Sequence, residues 1–339
     1  MVDVIVISYA LKDPPHFSLP PVGGSFFSKS NNFLKLSTKS KKMKLKIFIV
    51  TTLMFLFFAN KVIGFDFDLK GSMAEGKFRR YVPPLAQPYF NETPYITTEA
   101  RLVYLYNEIP KSFVTGGGNI NIFAAQIRLA ITERLGFIAT KDGYTILHFD
   151  NVLPNSDGFE NISFGFKYAL FARPKKEEII TFGFEYEPPT GSLSSGGINL
   201  QGKGDGFIDY FLTGAKAFNK WGLQGSVGIQ QALDTDYNSS FFHWHGHIDY
   251  ELFENFFPLI EVNGLKAYDP GNRTAISNFE GNDAANFGST SSSQVISGTT
   301  GFRYRFTNHV ILGIGYETAL TEQKDLLEYR TNLDLTFHF

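Results

Sequence analysis

Three histidines, His243, His245 and His247, alternate along one segment and are followed in the same phase by Asp249 and Glu251. Imidazoles and carboxylates are the side chains that ligate metals or move protons near neutral pH. Spacing limits which of these is open. Residues i, i+2 and i+4 of a strand share a face with side chains about 6.6–7 Å apart. A zinc ion needs its nitrogen ligands at about 2.0–2.1 Å. Adjacent pairs could approach a metal, but three along a straight strand read as a polar stripe. Glu185 and Glu187 are likewise a single strand-face repeat and carry no specific acid–base signal. No Gly-x-Ser-x-Gly, His-Glu-x-x-His or P-loop spacing occurs. The expectation is no catalytic residue, no metal site and no cofactor.

The elements that carry these groups read as strands. Ile162, Phe164, Phe166, Tyr168 and Leu170 alternate with smaller or polar residues, as do Ile180, Phe182, Phe184 and Tyr186. The same holds for Phe242, Trp244, Ile248 and Tyr250, for Phe302, Tyr304 and Phe306, and for Val310, Leu312, Ile314 and Tyr316. The chain closes on Tyr329, Thr331, Leu333, Leu335, Phe337 and Phe339 in one phase, with Arg330, Asn332, Asp334, Thr336 and His338 in the other. This is the period of two that places one apolar and one polar face on each strand.

Strands are expected near 97–107, 119–131, 134–142, 159–171, 177–188, 206–218, 222–233, 240–253, 256–268, 293–306, 309–320 and 328–339. Most run 10 to 14 residues, against about 5–6 for soluble strands and about 9–11 for a tilted strand crossing a bilayer. Short connections (Ala172–Lys176, Asn219–Gly222, Glu254 and Asn255, Thr307 and Asn308) alternate with mostly longer ones, including Gly143–Gly158, Pro189–Gly204 and Asp269–Ser292. Such alternation over an even strand count fits an all-β, antiparallel up-and-down transmembrane β-barrel of about twelve strands. An unpaired backbone group costs several kcal/mol in hydrocarbon, so the sheet must close and its first and last strands must pair.

Composition agrees. The 339 residues include 36 Phe, 16 Tyr and 32 Gly, with no Cys and a net charge of −2. Aromatics suit lipid-facing positions, and glycine suits crowded inner faces. The absence of Cys excludes disulfides and thiolate metal sites. The near-neutral balance argues against a nucleic-acid partner.

Lys39, Lys41, Lys42, Lys44 and Lys46 precede an apolar run from Ile47 to Ala59. A basic region followed by a short apolar core describes a cleaved signal peptide over 43–64, cut after Gly64. Residues 1–42 lie upstream of it and read as an over-extended reading frame. Residues 65–95 carry Pro83, Pro84 and Pro88 and read as an irregular segment that lies in the periplasm or plugs the lumen. The remainder, 96–339, is the barrel.

With the aromatic face outward, the inward candidates are Glu99, Arg101, Arg128, Lys167, Glu185, Glu187, Asp209, His243, His245, His247, Asp249, Glu251, Glu261, Arg303, Arg305, Glu317, Arg330 and Asp334. These charges either cross-link the wall or line a solute path in an aqueous bore. Phospholipase barrels place a Ser/His pair on the outer wall. Here the strand histidines 243, 245, 247 and 338 phase inward, with His148 in a predicted loop and His309 by a short turn.

The run from Gly158 through Asn161, Gly165, Lys167 and Tyr168 to Phe171, and the strand from Ile180 closing on Pro188, Pro189, Thr190 and Gly191, carry a resemblance. So do Gly204–Asp209 and the stretch from Trp221 to Gly228. The chain resembles outer-membrane transporters associated with the meta-pathway of phenol degradation, with Asn161 near their usual acidic position. The resemblance spans roughly residues 95–339. It implies a Gram-negative outer-membrane barrel that takes up small solutes, aromatic or hydrophobic ones among them, and supplies no functional residues. The expected partners are outer-membrane lipid, a small-molecule solute and, through the strand ending in Phe339, the barrel-assembly machinery. The expected gate is Asp269–Ser292 or 65–95. The rival is a structural or surface-interaction barrel with a plugged lumen; a lipase-like enzyme stands third.

Overall fold

The computed structural model describes residues 69–74, 77–273, 285–288 and 294–339. The expected signal peptide and residues 1–42 lie outside the described residues, as do parts of Asp269–Ser292. The strands are β1 (Glu99–Ile109), β2 (Gly118–Ala130), β3 (Leu135–Ala139), β4 (Tyr144–Phe149), β5 (Ser156–Phe159), β6 (Phe164–Arg173), β7 (Glu178–Glu187), β8 (Ser194–Ser195) and β9 (Ile198–Asn199). They continue with β10 (Phe207–Phe218), β11 (Trp221–Ala232), β12 (Ser240–Tyr250), β13 (Phe256–Asp269), β14 (Gln294–Thr307), β15 (Val310–Ala319) and β16 (Tyr329–His338).

Twelve staves form a closed antiparallel barrel. Strand β1 pairs with β2 on one side and with β16 on the other, from Glu99 opposite His338 to Glu108 opposite Tyr329. β8 and β9 form a small hairpin in the loop between β7 and β10. Two staves are each built from two strands. β3 and β4 both pair with β2, at its two ends, and β5 and β6 pair with β4 and β3 respectively.

This corrects one sequence expectation. The third stave does not stop at 142 but resumes at Tyr144 and runs to Phe149, so the predicted loop Gly143–Gly158 shrinks and His148 sits on a strand. The period-two signal was lost there because 140–143 and 160–163 leave the ladder.

Alternation sorts the side chains. Phe164, Phe166, Tyr168, Phe182, Phe184, Tyr210 and Leu212 are exposed on the outside of the ring. An apolar belt on this scale is abnormal for a water-facing surface and normal for a lipid-facing one. The interior is zoned rather than uniformly ionic. Buried charges stand at both ends, from Glu99 and Arg303 near the short turns to Glu187, Asp209 and Arg330 near the long loops. Toward the long-loop end, on the β1–β4 side, it is apolar: Val103, Leu105, Ile109, Ile120, Ile122, Leu147 and Phe149 pack with Phe113, Leu193, Leu200, Phe287 and Leu326 from four long loops.

Candidate functional site

The bore is occupied by the chain's own segment. Residues 81–97 are buried throughout and run irregularly through the ring as an internal strap. Pro83, Pro84, Pro88 and Pro94 favour extended backbone and remove donors that a helix or ladder would need. The strap's exposed carbonyls must therefore be met by the wall, and they are. Arg305 Nη2 donates to Tyr81 O at 3.0 Å, Gln224 Nε2 to Val82 O at 2.5 Å, and Arg101 Nη2 to Leu85 O at 3.1 Å. Arg303 donates to Pro83 O at 2.5 Å and to Pro84 O at 2.7 Å. Farther along, Gln126 meets Pro88 O, Thr213 meets Glu92 O and Thr181 meets Pro94 O, while Lys167 Nζ donates to Thr93 O at 2.9 Å and Tyr95 O at 2.6 Å.

Several of the strap's donors and charges are matched too. Glu261 accepts the backbone N–H groups of Leu85 and Ala86, both at 2.7 Å. His247 Nδ1 lies 2.7 Å from Glu261 and its Nε2 3.2 Å from Asp249, which in turn pairs with Arg80 of the strap. Glu92 pairs with Arg128 and with Lys167 Nζ at 2.7 Å. Burial alone would raise the Glu92 carboxyl, but those two cations outweigh it and hold it at about 2. Tyr81 donates to Glu99 at 2.8 Å and Tyr89 to Glu187 at 2.6 Å. Burial first, and those carboxylates next, push both phenols well above their ordinary range.

Each predicted inward residue has a definite place. Glu99, Arg101, Arg128, Lys167, Glu185, Glu187, Asp209, Asp249, Glu261, Arg303, Glu317, Arg330 and Asp334 are buried inside the ring. Arg305 is partly buried near the short-turn end, and Glu251 lies past the end of β12 with 38% of its side chain exposed. Arg101 and Arg303 share Asp334, and Glu317 receives Gln87 and Ser297. Of the two roles left open, cross-linking the wall or lining a solute path, the contacts are of the first kind: these charges are buried and bonded to the strap and to one another. His243 spans Asp209 at 2.9 Å and His245 at 3.2 Å, and His245 reaches Asn263 at 2.9 Å. The stripe is a hydrogen-bonded chain, and among the described residues no cluster has metal-ligand geometry. His338 lies 3.3 Å from Glu99, and His309 Nδ1 meets His338 O at a short turn.

Sequence reasoning missed Arg80, Tyr81, Tyr89 and Glu92 of the strap and Gln126, Thr181, Thr213 and Gln224 of the wall. Uncharged inner residues in the inward phase, opposite a proline-bearing segment with no period, were the available signal.

The second feature is a break in the wall. Between β3 and β4, and between β5 and β6, the ladder thins: Glu160 N–H still donates to Gly143 O at 2.9 Å and Ser163 N–H to Lys141 O at 2.7 Å, and side chains supply further partners. Asp142 Oδ1 accepts Ala125 N–H at 2.8 Å, Ser163 Oγ accepts Lys141 N–H at 2.9 Å, and Thr190 Oγ1 accepts Ile162 N–H at 3.0 Å. Asn161 Oδ1 accepts the N–H groups of Gly191 and Gly202, tying the β7–β10 loop across the gap. Beside the break lies an open groove of 910 Å³ lined by Leu102, Tyr104, Phe123, Ala125, Asp142, Tyr144, Phe159, Ile162, Leu312, Leu333 and Leu335, among others.

The COG4313 outer membrane channel from Pseudomonas putida F1 matches with a TM-score of 0.52 at 12% identity, over 76% of this chain and all of that one. The fold is that of an outer-membrane β-barrel. The barrel also matches the NanC porin (TM-score 0.43, 8% identity, 72% of this chain and 100% of that one) and the KdgM porin (0.40, 12%, 70% and 99%). No family model and no curated protein matches the chain.

Proposed function

We propose that the barrel passes small, largely apolar solutes across the outer membrane, and that they enter at the groove beside the broken wall rather than down the bore. One observation carries this reading: the bore is filled by the strap, while a 910 Å³ apolar groove opens beside the stretch where the β3/β4 and β5/β6 staves leave regular pairing. Backbone at membrane depth is left out of a ladder only where protein or a cavity meets it. Behind the groove the inner wall is apolar, from Val103 and Leu105 to Ile120 and Ile122. The resemblance to meta-pathway transporters adds small aromatics to the candidate solutes. Export on a signal peptide and delivery by the barrel-assembly machinery through the strand ending at Phe339 belong to the same reading.

The filled bore also favours a second reading, a surface-interaction barrel. Uptake in cells, where lipopolysaccharide slows unaided entry of apolar solutes, separates the two. The channel reading expects faster apolar uptake from the wild type, abolished by Ala125→Trp in the groove. It also expects little ion conductance in planar bilayers until residues 78–97 are deleted. Uptake no faster than in cells lacking the protein, with a silent barrel after deletion, selects the surface reading.

A further inference from the structure

Four aromatic residues cross the broken wall in one row. Tyr104 on β1 is opposite Phe123 on β2, Phe123 opposite Tyr144 on β4, and Tyr144 opposite Phe159 on β5. The ring centroids of Tyr104 and Phe123 lie 5.0 Å apart, as do those of Tyr144 and Phe159. All four rings line the groove. Asp142 lies one face repeat below this row, because it caps Ala125, whose neighbour across the ladder is Leu102. Its Oδ1 is used by Ala125 N–H, and no lining residue of the groove is Lys, Arg or His. The adjacent Lys141 pairs with Glu187 at 2.6 Å.

A carboxylate beside hydrocarbon is expensive and marks a functional site by default. A ring face attracts cations, and rings grouped around a site are the recognised way of holding an ammonium group. The cap on Ala125 accounts for one oxygen of Asp142, but an asparagine would make the same bond without the charge. Neither the row of rings nor the charge is needed to patch the ladder.

We propose that the groove selects a lipophilic amine in its protonated form, with the ammonium group held between Asp142 and the aromatic row and the apolar body along Leu102, Leu335 and Ile162. The proposal rests on the groove being the solute's entry point and names the class of solute that it prefers.

The test uses three ligands of one shape, 4-phenylbutylammonium, 4-phenylbutanol and butylbenzene. Binding to the full chain in zwitterionic lipid nanodiscs is followed by ligand NMR, with empty nanodiscs subtracted. The amine should bind about tenfold tighter than the alcohol, the scale of one desolvated cation–ring or charge-assisted contact. Asp142→Asn, which keeps an acceptor for Ala125 N–H, should erase that preference and leave butylbenzene binding unchanged. Tyr144→Leu, which leaves the cap untouched, should weaken the amine alone. Equal affinity for amine and alcohol, or a preference that survives Asp142→Asn, overturns the proposal while the entry reading stands. No binding of any of the three, or binding that Ala125→Trp leaves unchanged, overturns both. Folding of each variant is checked by its heat-dependent shift in gel mobility.

Discussion

Arg303 and Asp334 face each other inside the ring from β14 and β16, two bonds deep: Nη1 meets Oδ1 at 2.8 Å and Nη2 meets Oδ2 at 2.9 Å. The same guanidinium carries Pro83 O and Pro84 O. Its planar fork therefore joins the wall to the strap, which a lysine could not reproduce. Arg303→Lys keeps the charge but loses the fork, and should lower barrel stability by about 1–3 kcal/mol, the cost of a buried acceptor left unmet. The readout is the temperature at which the compact gel band is lost. Asp334→Asn added to Arg303→Lys should cost less than the sum of the two single changes, because both remove the same forked contact.

The inner glycines of β15 form the recess for the strap. A Cβ placed at Gly315 would lie 2.6 Å from Leu85 Cδ2, and one at Gly313 2.8 Å from Leu85 Cδ1. Gly315→Ala should destabilise by about 1–3 kcal/mol through overpacking. Leu85→Ala in the same chain should recover most of that loss. Protease cleavage within 78–97 measures the loosened strap directly.

Glu92 sets a pH window. Its carboxyl, ordinarily near 4.5, is held at about 2 in the folded barrel. A depressed carboxyl contributes stability that is complete above the unfolded value and is lost as pH falls toward the folded one. The stability gap between wild type and Glu92→Gln should therefore be constant from pH 7 down to about 5 and should shrink between about 4.5 and 2. Gel-shift midpoints measured across that range check the sign. A gap that widens on acidification would contradict the pairing with Arg128 and Lys167.

Asn161 holds the loop across the wall break, with its Nδ2 on Glu187 at 2.8 Å and its Oδ1 on two loop N–H groups. Asn161→Ala leaves those buried groups unmet, at about 1–3 kcal/mol each. Hydrogen exchange should rise at Gly191 and Gly202 and stay unchanged on β11 and β12.

The sequence by itself determined the barrel. Strict alternation over long strands, from Phe164 and Phe182 to Leu333, decides which face is apolar. An enclosed sheet then follows, because hydrocarbon leaves no unpaired edge. It also determined which residues point inward, since the strand period of two fixes facing once the register is known. What those residues do was decided only by the tertiary structure. Whether Arg303 and Glu261 meet water or a peptide depends on where the aperiodic segment 81–97 comes to rest, and its lack of period left that open between the periplasm and the lumen. The wall break was hidden for a related reason. Asp142, Ser163 and Thr190 stand in for backbone partners there, and such side-chain substitutes are recognised only when distant strands and loops are brought into contact.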